Sequence, residues 1–406
     1  MVRPLASCFT WRLGWILVLV VGMARPSSAG FTIQDLGVLT PFGTSSGSAI
    51  NALGQVAGSA NNLSGNLVAV STVQSGQVQA VGLPPDAIQS RGNAINLSGS
   101  VAGSYLDKFN AQHAFVSGPD GVSVVTPLAG GTYTVANGIN GSGMVIGTGD
   151  VLDGTTRAFV MGIGGHPTAI TPLGTGTFNV GNGINDSGSA VGTSQIAPGG
   201  LVHAFLAVPG LSTVDLLSRN AAGDFSYNTY GTAIANTGDV AGYGDVGRYE
   251  HAFFAPSGGG TLVDLGVLPG GSSSYGYGLN DLSQVVGSVN YGITQPGQPN
   301  SEAFIWDAVY GMFNLNTLIS TTDQASWVLT QATGINDSAE ITGTGLLNGV
   351  AHAFLLTPIP DEPLFSTPGQ TVPEPPAVGL TLIGLLTVII GANRLKPGRT
   401  EGQAIA

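Results

Sequence analysis

Residues 182–193 read NGINDSGSAVGT, and the chain writes near-copies of this stretch along most of its length. The copies open at Ile50-Asn51, Ile95-Asn96, Ile139-Asn140, Leu279-Asn280 and Ile335-Asn336, with a degenerate one at Ile234-Ala235-Asn236. Measured between the apolar residues that open them, the spacings are 45, 44, 45, 50, 45 and 56 residues. A period of this size marks a repeat architecture, and it is the size of one four-stranded propeller blade.

Each repeat contains four short apolar segments separated mostly by Gly, Pro or Asn, which reads as four strands and their turns. The first ends in Ile-Asn, as in GSAIN at 47–51, and the second resembles QVAGS at 55–59. The third resembles HAFV at 113–116, and the fourth is best written as VDLGVL at 263–268. In the opening stretch the Asn185 side chain can fold onto the backbone ahead of it, and Gly188 can take positive φ without steric cost. That chemistry predicts a short antiparallel hairpin joining the first two strands of every repeat. The glycines near the ends of the second strands, at 58, 103, 147, 192, 242, 287 and 343, predict close backbone approach between neighbouring blades.

The order of segments favours a closed ring. The repeats begin with a fourth-strand segment, Thr32-Ile33-Gln34-Asp35-Leu36, and end with a third-strand one, His352-Ala353-Phe354-Leu355. An N-terminal strand would then complete the last blade and leave no orphan edge. The prediction is an all-β fold, a seven-bladed β-propeller within residues 30–357. A β-solenoid is the competitor, but an open stack gives no reason to split one repeat between the two ends.

Only 8% of the 406 residues are charged, Gly alone supplies 64, and 43% are hydrophobic. This is neither a charged disordered chain nor an amphipathic helical one. Both ends read as address labels. Residues 1–29 carry Arg3 and Arg12, then an apolar run, then Ser27-Ser28-Ala29, as a secretory signal does. The only cysteine, Cys8, falls within it, so the mature body has no disulfide. At the far end a Pro-rich tether, 358–376, leads to an apolar transmembrane helix at 377–393 and a basic cytoplasmic tail at 394–406. The apolar run 377–392 would rise roughly 24 Å as a helix against a hydrocarbon core of ~30 Å. Without Arg3, Arg12, Arg25 and the net +1 of residues 373–406, the formal charge moves from −12 to −16. Arg91, Lys108, Arg157, Arg219 and Arg248 are then the only basic residues of the body, which argues against nucleic acid as a partner.

The order Val372-Pro373-Glu374-Pro375, apolar helix, then Arg394, Lys396 and Arg399 resembles the PEP-CTERM sorting tail of Gram-negative bacteria. Its basic residues are more dispersed than in that family, and a simple C-terminal anchor is the alternative. The resemblance implies export, transient inner-membrane anchoring, processing by signal peptidase and an exosortase, and association with exopolysaccharide-producing envelopes. The His-Ala-Phe segment with its Ile-Asn hairpin resembles the HAF repeat, an extracellular bacterial family without an established activity.

No catalytic motif survives its context. Gly43-Thr44-Ser45-Ser46-Gly47 spells a nucleophile elbow but no helical pattern follows it. Gly242-Tyr243-Gly244-Asp245-Val246-Gly247 spells a dinucleotide fingerprint with the same failure. His113, His203, His251 and His352 share one phase of the repeat, so they fall in separate blades and read as structural, as does the lone His166. No metal or cofactor is expected, Asp150 and Asp153 in GDVLDGT being the one candidate for weak calcium binding. Departures from strict repetition mark three insertions: 218–231 with Phe225, Tyr227 and Tyr230, 319–333 with Trp327, and 289–302 with Tyr291. Such aromatics either fill their own loops or offer flat faces to sugars or peptides, and packing carries more weight. Two functions remain open. One is a non-enzymatic binding or structural module of the cell surface or matrix. The other is an extracellular carbohydrate-active enzyme with paired carboxylates at one end of the channel.

Overall fold

A computed structural model describes residues 30–72, 76–220, 223–292 and 300–360. The signal segment, residues 361–376 of the tether with Val372 to Pro375, the apolar helix and the tail with Arg394, Lys396 and Arg399 lie outside the described residues. Among the described residues no helix is long and apolar enough to cross a membrane.

Seven four-stranded antiparallel sheets stand around an axis as the blades of a propeller. Their innermost strands are Ser45–Ile50, Ala87–Ile95, Thr134–Ile139, Asn179–Ile184, Thr229–Ile234, Ser273–Leu279 and Trp327–Ile335, numbered here as blades 1 to 7. The strand Phe31–Asp35 completes blade 7 by pairing with Val350–Pro358, in the register Phe31 to Pro358 and Asp35 to Phe354. The ring closes as the split repeat predicts, and both ends of the described chain leave it side by side. They leave at the face that carries the hairpins between first and second strands. The loops between second and third strands stand at the opposite face.

The repeated turn works as expected and also does something that the spacing does not reveal. Asn185 Oδ1 accepts the Ser189 N–H at 3.0 Å, and Gly188 sits at φ 80°. Blades 6 and 7 place Ser283 (φ 60°) and Ala339 (φ 56°) at that left-handed position. The amide end of the same asparagine reaches the next blade. Asn51 Nδ2 donates to Asn96 O (2.8 Å), Asn96 to Asn140 O (3.4 Å), Asn140 to Asn185 O (3.0 Å) and Asn185 to Ala235 O (3.0 Å). Asn280 continues to Asn336 O (3.0 Å), and Asn336 returns to Asn51 O (3.1 Å). All six asparagines are buried, so each amide satisfies its own turn and a neighbour's carbonyl at once. In six of the seven blades the turn is also the staple to the next.

The second-strand glycines need one correction. A Cβ at Gly192 would overlap the carbonyl oxygen of Val180 and lie 2.8 Å from the Phe205 ring, both within blade 4. The approach between blades is made instead by the innermost-strand glycine, as where a Cβ on Gly231 would stand 3.0 Å from Gly192 O. The His-Ala-Phe segment is explained by the same crowding. Its Phe, at 115, 159, 205, 253, 304 and 354, is fully buried. The N–H of its Ala donates to a hydroxyl on the next innermost strand, as in Ala204 to Thr229 (3.0 Å), Ala252 to Ser274 (2.8 Å) and Ala353 to Ser45 (2.9 Å). Cores form where blades meet: Val191 and Ala204 of blade 4 pack with Val240, Phe253 and Ala255 of blade 5.

Candidate functional site

The innermost strands line an axial channel of ≈ 250 Å³. Each pairs with its second strand through a register shift, between Gly181 and Gly183 in blade 4 and Gly276 and Gly278 in blade 6 for example. The residue skipped in each blade is Ser48, Asn93, Asn137, Asn182, Thr232, Tyr277 or Thr333, and all seven line the channel. A bulge re-aims the skipped side chain, and here it aims at the next blade. Asn137 Nδ2 donates to Gly181 O and Asn182 Nδ2 to Gly231 O, both at 2.7 Å, and Thr232 Oγ1 donates to Gly276 O at 2.8 Å. The aliphatic side chains of Ile50, Ile95 and their equivalents form the next ring along. Among the described residues the channel wall includes no Asp, Glu or His. The paired carboxylates of a glycosidase are therefore not supplied by that wall.

One sector differs from the rest. Near the loop face, Tyr230 stacks on Tyr243 with ring centroids 4.7 Å apart. Tyr243 meets Tyr275 of blade 6 edge to face at 5.0 Å, and Tyr275 lies parallel to the channel-lining Tyr277 at 6.3 Å. The Tyr275 hydroxyl donates to Glu250 Oε2 at 2.8 Å. Burial, then the hydrogen bond to the Glu250 carboxylate, pushes the Tyr275 phenol up to about 12. Burial first and Glu250 second raise Tyr243 as well. These phenols stay neutral at any physiological pH and act as flat, hydroxyl-tipped surfaces.

The structure redistributes the aromatics singled out from the sequence. Phe225 is core, 3% exposed and edge to face with Phe253 at 5.8 Å. Trp327 is 6% exposed, opens the innermost strand of blade 7 and packs on Phe354 at 6.4 Å. Both insertions fold back over the ring, so neither ring is offered to a ligand. Tyr230 lies in a strand instead of a loop, and Tyr291 donates its hydroxyl to Glu302 Oε2. Tyr227 alone of the five is exposed, at 56%. The residues missed are Tyr243, Tyr275, Tyr277 and Glu250. Their signal was in the sequence: eight of the ten tyrosines fall within residues 227–310.

The remaining candidates are held by their own neighbourhoods. His203, His251 and His352 each place Nδ1 against a carboxylate, Asp215 (2.8 Å), Asp264 (2.9 Å) and Asp35 (2.9 Å). His113 turns to Asp107 at 3.2 Å, and His166 is exposed. Burial raises the Asp150 carboxyl but the N–H groups of Tyr133 and Thr132 outweigh it, and Asp153 is lowered first by the Thr155 hydroxyl and then by its N–H. No group of three His, Cys, Asp or Glu gathers among the described residues as a metal site would need. Ser45 of the elbow spelling is buried, donating to Gly37 O and accepting from Ala353. The 242–247 spelling lies largely in the second strand of blade 5, Val240–Val246.

Solved structures align with this chain at low sequence identity. TolB from Acinetobacter baumannii aligns with a TM-score of 0.40 and 12% identity over 75% of this chain and 76% of its own. The β-propeller domain of the Trilobed protease from Pyrococcus furiosus aligns with a TM-score of 0.48 and 10% identity over 80% and 96%. Pyrococcus horikoshii acylaminoacyl peptidase gives a TM-score of 0.47 and 13% identity over 79% of this chain and 52% of that one. No curated protein matches the chain in sequence. The family described as Protein of unknown function (DUF3466) matches residues 177–355, which are blades 4 to 7 without the closing strand.

Proposed function

We propose that this propeller is an exported binding or structural module of a Gram-negative envelope or matrix, tethered through its C-terminal segment and released by an exosortase-type system. The observation that carries the reading is the placement of the chain ends. Phe31 pairs with Pro358, and Ile359 N–H donates to Gly30 O at 3.0 Å. A leader removed just before Gly30 and a tether starting near Pro358 would act at one face, leaving the loop face with Tyr227, Tyr230 and Tyr243 turned away from the point of attachment. Blades closed in a ring leave only the short edges of their fourth strands, which suits a protein without disulfides outside the cell.

The test follows the full chain in a bacterium that produces exopolysaccharide and carries an exosortase. The expected products are an exported protein that begins near Gly30 and a released form shortened at its C-terminal end. Replacing Pro373, Glu374 and Pro375 together by Ala should hold the protein at full C-terminal length in the inner membrane. Retention in the cytoplasm, or release that ignores the triple change, would overturn the proposal.

A further inference from the structure

Resting on that reading of a binding module, we infer that the tyrosine face between blades 5 and 6, with Glu250 at its edge, is a binding subsite for a neutral or amino-bearing polysaccharide chain. The fold does not call for these rings. Where blades 5 and 6 place Tyr230 and Tyr275, blades 3 and 4 place Val135 and Val180, two residues before the bulge in each case. Across the strand pair, Tyr243 stands where blades 3 and 4 have Thr148 and Thr193. Tyr277 stands where they have Asn137 and Asn182. The apolar core shared by blades 5 and 6 is built without the four tyrosines, from Ala241, Ala252, Phe254, Val285 and Phe304 among others. Side chains that neither the bulge nor the core requires, clustered half-buried in one sector of a channel mouth, point to a ligand.

The chemistry selects the ligand class. Rings clustered at 4.7, 5.0 and 6.3 Å turn some faces to one another and leave their outer faces and edges for the C–H faces of pyranose rings, while phenol hydroxyls serve sugar hydroxyls. Glu250 already accepts from Tyr275 and is suited to accept from a sugar hydroxyl or an ammonium group. A body carrying a formal −16 would repel a uronic-acid polymer, leaving neutral and amino-bearing chains as the fitting classes. The face lies opposite the chain ends, where a long polymer has room to pass.

The full chain, solubilised in detergent, is titrated by calorimetry with cellohexaose, with chitosan hexamer and with polygalacturonate. Binding is expected for cellohexaose, chitosan hexamer or both, and not for polygalacturonate. Tyr230→Ala should weaken it about tenfold or more, the loss typical of a truncated aromatic anchor. Tyr230→Phe should stay within about threefold of the parent. Should Tyr230→Ala unfold, as its thermal melt would reveal, Glu250→Gln decides, with chitosan hexamer expected to lose several-fold more affinity than cellohexaose. Binding to neither oligosaccharide, tightest binding to polygalacturonate, or unchanged affinity in the folded variants would overturn the inference. None of those results touches export and tethering, which are read from where the protein sits in the cell.

Discussion

Blades 4 to 7 and blades 1 to 3 share their inner halves and differ at the outer strand. In blades 4, 5 and 7 the histidine that opens the third strand meets an aspartate on the fourth, at 2.8, 2.9 and 2.9 Å. Blade 6 fills the same two places with Glu302 and Asn314, joined at 2.7 Å with the donor and acceptor sides exchanged. In blades 1 to 3 the fourth-strand place holds Ala80, Val124 and Ala169, opposite Val70, Phe115 and Phe159, and no such clasp can form. The same fourth-strand residue in blades 4 to 7 also accepts the N–H two positions on, as Asp215 does from Leu217 and Asp264 from Gly266. The inner half is under common constraint because it builds a bulge in every blade, an asparagine staple in six and an innermost-strand glycine contact in five. The outer strand has only its own sheet to satisfy, so two solutions coexist in one ring. One clasp has a further duty: Asp35 and His352 join the two ends of the described ring.

The largest expected effect tests how far the inner halves are equivalent. Phe253→Ala empties a fully buried site in blade 5 and should cost about 3–5 kcal/mol of stability. Val70 holds the same register position in blade 1 and is 1% exposed, so Val70→Ala should cost only about 2 kcal/mol. Urea unfolding of both variants checks the pair. Equal losses would mean that the Phe pocket has no special role in the blade.

The clasp itself gives a smaller effect. A cycle of His251→Ala, Asp264→Ala and the double variant should show a coupling of about 1 kcal/mol at neutral pH. The positionally matched cycle at His113 and Val124 of blade 2 should show essentially none. Burial raises the Asp264 carboxyl, but the His251 hydrogen bond and the Gly266 N–H together outweigh it and hold the group below its ordinary 3.8. A depressed folded-state value stabilises the fold above the unfolded value and loses that contribution as pH falls through the folded one. The coupling should therefore shrink only as the pH is taken below 3.8. A coupling lost well above pH 3.8 would mean that these two hydrogen bonds do not hold the Asp264 carboxyl down.

What the sequence made legible follows the same division. Period and phase carried the blade, the count and the split last blade, because each depends on one repeat resembling the next. The Asn185 turn was legible because its partners lie within four residues. Its amide bond to Ala235 was not, since that contact spans 50 positions, although a buried Asn repeated in phase leaves an amide that must go somewhere. The His–Asp clasp was encoded as co-occurrence: the repeats that write His203, His251 and His352 also write Asp215, Asp264 and Asp35, and the one that writes Glu302 writes Asn314. Phe225 and Trp327 follow the packing alternative that the sequence favours, because they return to cover their own blades. The tyrosine face was hidden because its rings sit in regular strands where attention to irregular segments does not fall.

The smallest effect concerns the one break in the asparagine ring, which falls inside the clasped half. Asn185 reaches Ala235, but Ala235 has no amide to pass on to Asn280. Blade 5 is linked to blade 6 at this level by another route, with Ser283 Oγ donating to Asp239 Oδ2 at 2.8 Å while Asp239 Oδ1 takes the Ser257 N–H at 2.7 Å. Ala235→Asn would restore the pattern of the other blades, its Oδ1 serving the turn and its Nδ2 the Asn280 carbonyl. Because the Asp239 link already holds the blades together, the gain should be modest, about 0.5–1 kcal/mol. In a background of Asp239→Ala the same substitution should gain more, since only the Asn236 N–H to Asp281 Oδ1 bond, 2.6 Å, then joins the two turns through a side chain. Ala235 is 4% exposed and packs with Ala241 and Leu279, so a loss of stability in both backgrounds would mean that this corner of blade 5 has closed around alanine. The break in the ring would then be a matter of volume, and the Asp239 link its consequence.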